Sequence, residues 1–269
     1  MSGRHLRDEI RTHFGWQRLL VGLGRITGAW GPQTIVLLSS YRFGSSLMMN
    51  YLNAQPNIRR RGEILNPDEV VYGNFEGASQ GRVLLHVRAM CFTPPGQIAM
   101  VKLMDSQIED HGLTLDDIIS ALNRPYIVAV YRRDLLSAFV SLGIARENGI
   151  WYSTDRVNDV SISIELSALK NYVRNTRRRW TSYSARLHNY DRSIIVSYEE
   201  LMEHPEEEMN KIFDFMGFPR KGPVTETVRQ NPAPATRKIR NYGELGINEL
   251  SARGELTLDL DSLRAGTES

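Results

Sequence analysis

Residues 34–51 read TIVLLSSYRFGSSLMMNY, and the order of residue types in them predicts a strand, a turn and a helix. The apolar or β-branched residues at 34–38 are too few for an independent helix and predict a buried parallel strand. A turn of small residues follows around Gly44, and apolar residues then recur at helical spacing from Leu47. Because the first N–H groups of a helix lack internal partners and carry positive partial charge, this turn is a candidate anion site. The alternative interpretation is an ordinary helix N-cap made by a serine.

The turn differs from the usual nucleoside-triphosphate loop. The chain has no G-x-x-x-x-G-K-[ST] motif, and Arg42 precedes Gly44 where such a loop would carry a lysine after its glycines. We therefore expect the anion bound at this turn to differ from MgATP.

Three other short apolar runs predict further strands, at 98–104, 126–131 and 193–197. Helical patterns lie between them, at 113–122, from 132 to 148, at 162–187 and at 205–216, whereas residues 82–90 fit either a strand or a helix. Strands that alternate with helices predict an α/β fold, a three-layer α/β/α sandwich with a central parallel sheet. We expect three parts along the chain: a peripheral segment at 1–30, the main domain at 31–245 and a C-terminal tail at 246–269.

The composition is that of an ordinary globular protein of 269 residues with a formal net charge of +2. This small charge does not predict nucleic-acid binding, and Cys91, the only cysteine, excludes an intrachain disulfide. No apolar run approaches the roughly 20 residues of a membrane span and no signal-peptide core is present, so a cytoplasmic location is the default. The segment at 14–30 carries two tryptophans and two arginines, and it fits either docking onto the domain or contact with a membrane interface.

Basic side chains follow or interrupt two of the predicted strands. Arg133 comes directly after the strand at 126–131, and Ser141 lies eight residues later on the following helix, on the same face as Ser137. Because ligands of parallel sheets bind at the carboxyl ends of strands, Arg133 is placed to serve an anion site. Lys102 interrupts another strand, and it either extends its amine towards solvent or binds a ligand.

Three segments together resemble the sulfotransferases that use 3′-phosphoadenosine 5′-phosphosulfate. The turn SYRFGSSL at 40–47 is similar to the PKSGT or PRSGS turn with which that family binds the 5′-phosphosulfate. The spacing of Arg133 and Ser141 resembles the family's 3′-phosphate site. The segment VSYEELMEHPEEEMNKIFDFMGFP at 196–219 is similar to the family's strand, Tyr-Glu pair and Pro-led helix.

The resemblance covers residues 34–219 and implies the P-loop NTPase-like fold of these enzymes. Within the family, G-E-x-x-N-P at 62–67 and K-L-M at 102–104 look most like the bacterial carbohydrate and glycolipid branch, including trehalose and nodulation-factor sulfotransferases. The acceptor that this branch implies is a hydroxyl of a carbohydrate or a glycolipid.

The resemblance also implies which residues hold the donor: Arg42, Phe43, Gly44, Ser45, Ser46, Leu47, Arg133 and Ser141. The turn departs from the family in having Tyr41 in place of proline and Phe43 in place of serine, so that one hydroxyl near the sulfonate is missing. The family's second basic loop has no clean counterpart, and we assign Arg237 and Lys238 to that role. No metal is expected, since no His/Cys/Asp cluster has ligand spacing.

An acceptor hydroxyl needs a general base close by, and Glu63 of the G-E-x-x-N-P segment is the candidate. Arg42 is the second candidate catalytic residue, because its guanidinium stays charged and can neutralise a leaving phosphate. The alternative for Glu63 is a salt bridge to an arginine at 59–61, with His86 or His111 as the base. Three residues are candidates for contact with the acceptor: Lys102, Trp151 and Tyr152.

The expected function is therefore in-line transfer of a sulfuryl group from this donor to an acceptor hydroxyl. Two alternatives remain. The first is an ATP-dependent small-molecule kinase with a degenerate nucleotide loop, which is disfavoured because the loop lysine and a Walker B aspartate are missing. The second is a non-catalytic anion- or glycan-binding module, which predicts binding without turnover.

Overall fold

The computed structural model describes residues 33–66, 77–149, 160–220 and 234–260. Five strands occur in these ranges: β1 Thr34–Ser39, β2 Ile58–Glu63, β3 Ile98–Met104, β4 Tyr126–Tyr131 and β5 Ser193–Ser197. They form one sheet in the order β2-β3-β1-β4-β5. Strand β3 pairs in parallel with both β1 and β2. The predicted α/β fold with a central parallel sheet is confirmed.

Helices connect the strands. In chain order the described α-helices are α1 Ser45–Asn53, α2 Gln80–Met90, α3 Asp105–Asp110, α4 Leu115–Ala121, α5 Leu135–Asn148, α6 Leu166–His188, α7 Tyr198–Glu203, α8 Pro205–Met216 and α9 Ile247–Ala252. Two short 3₁₀-helices span Ala235–Lys238 and Tyr242–Glu244. None of the helices in the described ranges is long and apolar enough to cross a membrane.

Most helix ends lie where the residue types predict them. Thr114 caps α4 by accepting a hydrogen bond from the Asp117 N–H, and Gly217 ends α8 in the left-handed conformation. The long amphipathic helix is the exception, because α6 begins at Leu166 and not at Ile162. The backbone of Ile162 instead accepts a hydrogen bond from Arg240 and donates one to Lys238, which fixes it as a bridge outside the helix.

The chain divides into two compact units. The first comprises residues up to 39 and residues 52–129, so it holds β1, β2 and β3, and every side chain of β1 and β3 is buried. Strand β2 lies at the edge of the sheet and exposes three consecutive arginines, Arg59, Arg60 and Arg61. Its last residue, Glu63, lies in register with Lys102 of β3, which in turn lies in register with Leu37 of β1.

The second unit comprises residues 40–51 and 130–269, so it holds the turn after β1, the residues after β4 and the helices α5 to α9. Trp180 of α6 is completely buried in it. A segment within the predicted C-terminal tail packs beside the end of β4, where the N–H of Leu258 donates to the carbonyl of Arg133 and the N–H of Leu135 donates to the carbonyl of Leu256. Consequently, two hydrogen bonds with residues 256–258 hold the backbone between Arg133 and Leu135.

Candidate active site

The turn after β1 has two residues in the left-handed region, Arg42 at φ 66° and Gly44 at φ 94°. The N–H of Phe43 donates to the carbonyl of Ser40 at 3.3 Å, which closes the turn. The first helical hydrogen bond of α1 runs from the N–H of Met48 to the carbonyl of Gly44 at 3.1 Å. The amides that precede Met48 are therefore not used inside the helix, and they supply the positive end of its dipole.

The side chain of Phe43 anchors this turn in the core of the second unit. It is completely buried and stacks on Trp180 with the ring centroids 5.8 Å apart. The indole N–H of Trp180 donates to Oγ of Ser40 at 2.8 Å, so the same tryptophan holds both ends of the turn. Phe43 was predicted to contact the donor, and the structure leaves only its backbone for that role.

Gly44 is required at its position for two reasons. Its φ of 94° is strained for any residue with a Cβ, and a Cβ placed there would lie only 2.3 Å from Cδ2 of Tyr198. Tyr198 is the first residue of α7, whose sequence resembles the family's Tyr-Glu segment. The ring of Tyr198 therefore packs directly against the turn.

The structure joins two residues that the sequence assigned to separate phosphate sites. Nε of Arg42 donates to Oγ of Ser141 on α5 at 2.9 Å. Both residues are at least half-buried. The turn after β1 and the helix after β4 therefore meet through a guanidinium and a hydroxyl, both of which can donate hydrogen bonds to phosphate oxygens.

Arg133, the other residue of the expected 3′-phosphate site, is half-exposed and contacts acidic partners. Its guanidinium forms a hydrogen-bonded ion pair with Glu200 of α7. Hydrogen bonding to Tyr131 is the largest influence that raises the pKa of Arg133, and the Glu200 carboxylate raises it further. Arg133 is therefore a permanent cation at the carboxyl end of β4.

Arg132 was not among the predicted site residues, yet its guanidinium is the more deeply placed of the two arginines that follow β4. Its Nη1–H donates to the carbonyl of Arg42 at 3.1 Å, and its Cζ lies 4.8 Å from the centroid of the Tyr198 ring. Glu199 lies beside it and accepts backbone hydrogen bonds from Arg133 at 3.0 Å and Asp134 at 3.2 Å. The adjacent arginines after β4 and the Tyr-Glu pair were visible in the sequence, but no local pattern joins them to the turn.

Glu63 lies in the first unit and forms an ion pair with Lys102 of the neighbouring strand. The Lys102 ammonium nitrogen lies 2.5 Å from Oε1 of Glu63. Oε2 of Glu63 accepts hydrogen bonds from the amides of Asn66 at 3.1 Å and Gln107 at 3.5 Å. Glu63 therefore forms a salt bridge, as in the alternative to a base, although that alternative named an arginine at 59–61 and the cation seen here is Lys102. Lys102 extends its amine to this carboxylate and not to solvent.

The remaining candidates fall in different places. His86 is buried and donates its Nε2–H to the carbonyl of Ile64 at 2.9 Å, whereas His111 follows α3 and is half-exposed. In the 3₁₀-helix Ala235–Lys238, Arg237 is exposed and Lys238 is buried. Trp151 and Tyr152, the other predicted acceptor contacts, lie outside the described residues.

Comparison with known proteins gives a consistent result. Residues 110–222 match the model of the sulfotransferase family. Nodulation protein H of Rhizobium meliloti (strain 1021) is 23% identical over 230 residues, which are 81% of this chain and 91% of that protein. Among solved structures, sulfotransferase STF9 from Mycobacterium avium is similar at 11% identity and a TM-score of 0.48, covering 92% of this chain and 84% of that one. A sulfotransferase from Alicyclobacillus acidocaldarius is similar at 12% identity and a TM-score of 0.45, covering 87% and 99%.

The residues matched by the family model include Arg133, which follows β4, and Ser141 on α5. The match with nodulation protein H extends beyond them to four fifths of the chain. The resemblance to sulfotransferases predicted from the sequence is thereby confirmed.

Proposed function

We propose that the protein transfers a sulfuryl group from 3′-phosphoadenosine 5′-phosphosulfate to a hydroxyl of a carbohydrate or glycolipid. The observation that carries this proposal is the 2.9 Å hydrogen bond between Arg42 and Ser141. A donor with phosphates on both the 3′ and the 5′ position needs two anion-binding elements close together. The turn after β1 and the helix α5 are two such elements, and they are in contact through Arg42 and Ser141.

The 5′-phosphosulfate is proposed to bind at the turn. The amides from Gly44 to Leu47 lie at the start of α1, before its first helical hydrogen bond; Ser45 and Ser46 add hydroxyl groups, and Arg42 adds a permanent positive charge. Phe43 contributes its backbone alone, because its ring is buried on Trp180. These groups fit a phosphate ester with a sulfonate attached.

The 3′-phosphate is proposed to bind Arg133 and Ser141. A 3′-phosphate carries close to two negative charges at neutral pH, so a half-exposed guanidinium and a hydroxyl are suitable ligands for it. Arg133 is already paired with Glu200. Binding of the donor therefore requires the guanidinium either to share its N–H groups between carboxylate and phosphate or to leave Glu200. Arg237, exposed in its short 3₁₀-helix, is the proposed additional cation, with Lys238 next to it.

The reaction forms a bond from the acceptor oxygen to sulfur and breaks the bond from sulfur to the bridging oxygen of the 5′-phosphate. The acceptor oxygen loses its proton to a base, and the 5′-phosphate leaves with the electron pair of the broken bond. We assign Arg42 to neutralise the charge that develops on this phosphate, by analogy with phosphoryl transfer. No covalent bond forms between the protein and the sulfuryl group, and the only bond that the protein gains is the O–H bond of the base.

We assign Glu63 as the base, and its contacts limit the orientations that its side chain can adopt. Lys102, Asn66 and Gln107 all donate towards its two oxygens, which holds the side chain in a fixed orientation. A general base must be held within reach of the proton that it accepts. Because the ammonium of Lys102 is buried against Glu63, we assign Lys102 to the carboxylate and keep Trp151 and Tyr152 as the proposed contacts with the acceptor.

The choice of a carbohydrate or glycolipid as the acceptor rests on two segments, G-E-x-x-N-P at 62–67 and K-L-M at 102–104. Glu63 of the first segment and Lys102 of the second form the ion pair described above. The two segments that made the sequence resemble the carbohydrate and glycolipid branch are therefore joined in space.

Calorimetry with 3′,5′-adenosine bisphosphate and with ATP, each with and without Mg²⁺, tests the donor. We expect binding of the bisphosphate in the absence of Mg²⁺ and binding of ATP at least about a hundredfold weaker. Arg133→Ala should reduce affinity for the bisphosphate about tenfold or more, since it removes a charge-assisted hydrogen bond. Arg220→Ala, which removes an exposed arginine paired with Asp214, is the matched control.

Transfer of ³⁵S-labelled sulfate from the donor into sugar and lipid extracts tests the reaction and the acceptor class. Label in a sugar or glycolipid fraction supports the proposal. ATP binding that requires Mg²⁺ would favour a kinase, whereas bisphosphate binding with no labelled product in any extract would favour a non-catalytic module.

A further inference from the structure

Arg42 adopts a backbone conformation that a residue with a side chain rarely holds without support. Its φ of 66° lies in the left-handed region, and Gly44 two residues later is at φ 94°. Left-handed residues other than glycine persist where surrounding contacts over-determine them. The shape of the turn therefore depends on the contacts that surround Arg42.

Arg132 makes the contact that acts on the backbone of Arg42 itself. Its Nη1–H donates to the Arg42 carbonyl at 3.1 Å, although the two residues are 90 positions apart. A hydrogen bond to this carbonyl fixes the plane of the peptide that joins Arg42 to Phe43. The amides of the turn that follow depend on that plane for their direction.

The surroundings of Arg132 leave little of it for a ligand. The whole residue is only 8% exposed. One face of its guanidinium lies over the Tyr198 ring, at 4.8 Å from the ring centroid, and Nε lies 3.9 Å from a carboxylate oxygen of Glu199. The latter is an ion pair and not a hydrogen bond. Arg132 is thus held by α7 in the position from which it reaches the turn.

The same α7 residues also hold the exit of β4. Glu199 accepts hydrogen bonds from the backbone of Arg133 and Asp134 with its two carboxylate oxygens. The ring of Tyr198 packs against Gly44 so closely that a Cβ would overlap it. Arg132, Tyr198 and Glu199 therefore connect the turn that starts α1 with the backbone that presents Arg133.

From these contacts we infer that Arg132 is a positioning residue of the donor site, which holds the turn at Arg42 in its left-handed shape and keeps it in a fixed place relative to Arg133. The expected effect on donor affinity rests on the proposed function, whereas the contact between Arg132 and the turn does not. Arg132 acts through the turn and does not touch the donor. Its loss should therefore weaken every ligand that uses the 5′-phosphate site, with or without a 3′-phosphate.

The test uses Arg132→Met, which keeps a long apolar side chain and removes the charge and the N–H donors. Hydrogen–deuterium exchange of the full chain measures the turn without any ligand, through the amides of Phe43 and Met48, which are hydrogen-bonded in the turn. We expect exchange in a peptide that covers residues 40–48 to accelerate about tenfold, with the rest of the chain unchanged. Arg132→Lys, which keeps a charge over the Tyr198 ring and a donor, should restore part of the protection. Arg220→Met, on the exposed ion pair with Asp214, is the matched control.

Calorimetry then compares 3′,5′-adenosine bisphosphate with adenosine 5′-monophosphate. Arg132→Met should weaken both ligands by the same factor, about tenfold, at an unchanged stoichiometry of one site per chain. Loss of the bisphosphate alone would make Arg132 a direct ligand of the 3′-phosphate and overturn the inference. Reduced stoichiometry at unchanged affinity would indicate general unfolding and would also overturn the inference. Exchange rates and affinities within about twofold of the parent protein would overturn it as well. If the parent protein binds neither nucleotide, the proposed function fails, and the exchange result alone decides the role of Arg132.

Discussion

The ammonium of Lys102 lies 2.5 Å from a carboxylate oxygen of Glu63, and both side chains are at most 3% exposed. The two residues are in register on neighbouring parallel strands. Two opposite charges are thus withdrawn from water together, an arrangement in which each is stable only while the other is present. The pair therefore contributes to the stability of the fold, and Lys102 forms part of the surroundings of the proposed base, Glu63.

Lys102→Met is expected to destabilise the chain by about 3–5 kcal/mol, because it leaves the Glu63 carboxylate buried without a cation. The double variant Lys102→Met with Glu63→Gln should recover most of that loss, since no charge is then buried alone. Urea unfolding at pH 7 measures both. A double variant no more stable than Lys102→Met would show that the cost comes from lost packing around the lysine stem and not from the unpaired charge.

Glu63→Gln is expected to lower kcat by about 10²–10⁴-fold, because the amide cannot accept the acceptor's proton. Affinity for 3′,5′-adenosine bisphosphate should stay within about twofold. Glu206→Gln, an exposed position in the first turn of α8, is the matched control and should keep full activity. Near-full turnover by Glu63→Gln, with the donor still bound, would assign the proton to another group, and His86→Gln and His111→Gln would be measured next.

Ser141→Ala is expected to weaken binding of the bisphosphate about tenfold. The hydroxyl accepts a hydrogen bond from the Arg42 guanidinium and is proposed to donate its own hydrogen to the 3′-phosphate, and a hydrogen bond to a charged group contributes about 1.5–3 kcal/mol. Calorimetry measures the affinity, and Ser120→Ala on the exposed side of α4 should leave it unchanged. Equal affinities for Ser141→Ala and the parent protein would remove Ser141 from the donor site.

Gly44→Ala is expected to abolish measurable binding of the donor, since the new methyl group meets the Tyr198 ring at 2.3 Å and the turn must move. Gly96→Ala separates strain from overlap, because Gly96 also has a positive φ, 81°, but a methyl group added there would meet no atom within 4 Å. Thermal unfolding and calorimetry of both variants give the comparison. Similar losses of donor affinity in the two variants would contradict the role of the Tyr198 contact.

Cys91 provides a prediction about pH. Burial, the largest cause, raises the pKa of the Cys91 thiol from 9.0 to about 12. The folded chain therefore keeps this proton where the unfolded chain has lost it, and the stabilisation present below pH 9 should disappear as the pH rises to 12. The slope from this group is about −1.4 kcal/mol per pH unit in the free energy of unfolding.

The difference in unfolding free energy between the parent protein and Cys91→Ala, followed from pH 8 to 11, isolates that slope from the titration of lysines and tyrosines. A thiol-specific maleimide at pH 8 should also leave the folded chain unlabelled and label it in urea. Rapid labelling of the folded chain would contradict the burial of this thiol.

Local patterns in the sequence predicted much of the fold. The strands at 98–104, 126–131 and 193–197 have the bounds expected from their apolar runs, and α8 begins at Pro205 and stops before Gly217 as its cap residues predict. The apolar residues at 82–90 match neither the two-residue period of a strand nor the 3.6-residue period of a helix clearly, so the sequence fits either. In the structure these residues are part of α2. The start of α6 was predicted four residues early, since the apolar stripe continues through Ile162 while the backbone there is bridged to Ile239.

The contacts within the candidate site were less predictable than its members. The turn at Arg42 and the spacing of Arg133 to Ser141 could be named from the sequence, but the bond from Arg42 to Ser141 spans 99 positions. The pairing of Glu63 with Lys102 depends on β2 lying beside β3, an order that periodicity does not contain. Arg132 could not be identified from its local sequence, because its function depends on a carbonyl 90 positions away.

Strand β2, which carries Glu63 at its end, has a further consequence for the behaviour of the protein in solution. The outer strand of a sheet is the place where a sheet of another molecule can add a strand. Arg59, Arg60 and Arg61 stand exposed along this edge, so a second copy that added its own β2 there would bring six guanidinium groups together. We therefore expect electrostatic repulsion between identical edges to disfavour aggregation through the strand that ends in the proposed base, and we expect this effect to weaken as salt screens the charges.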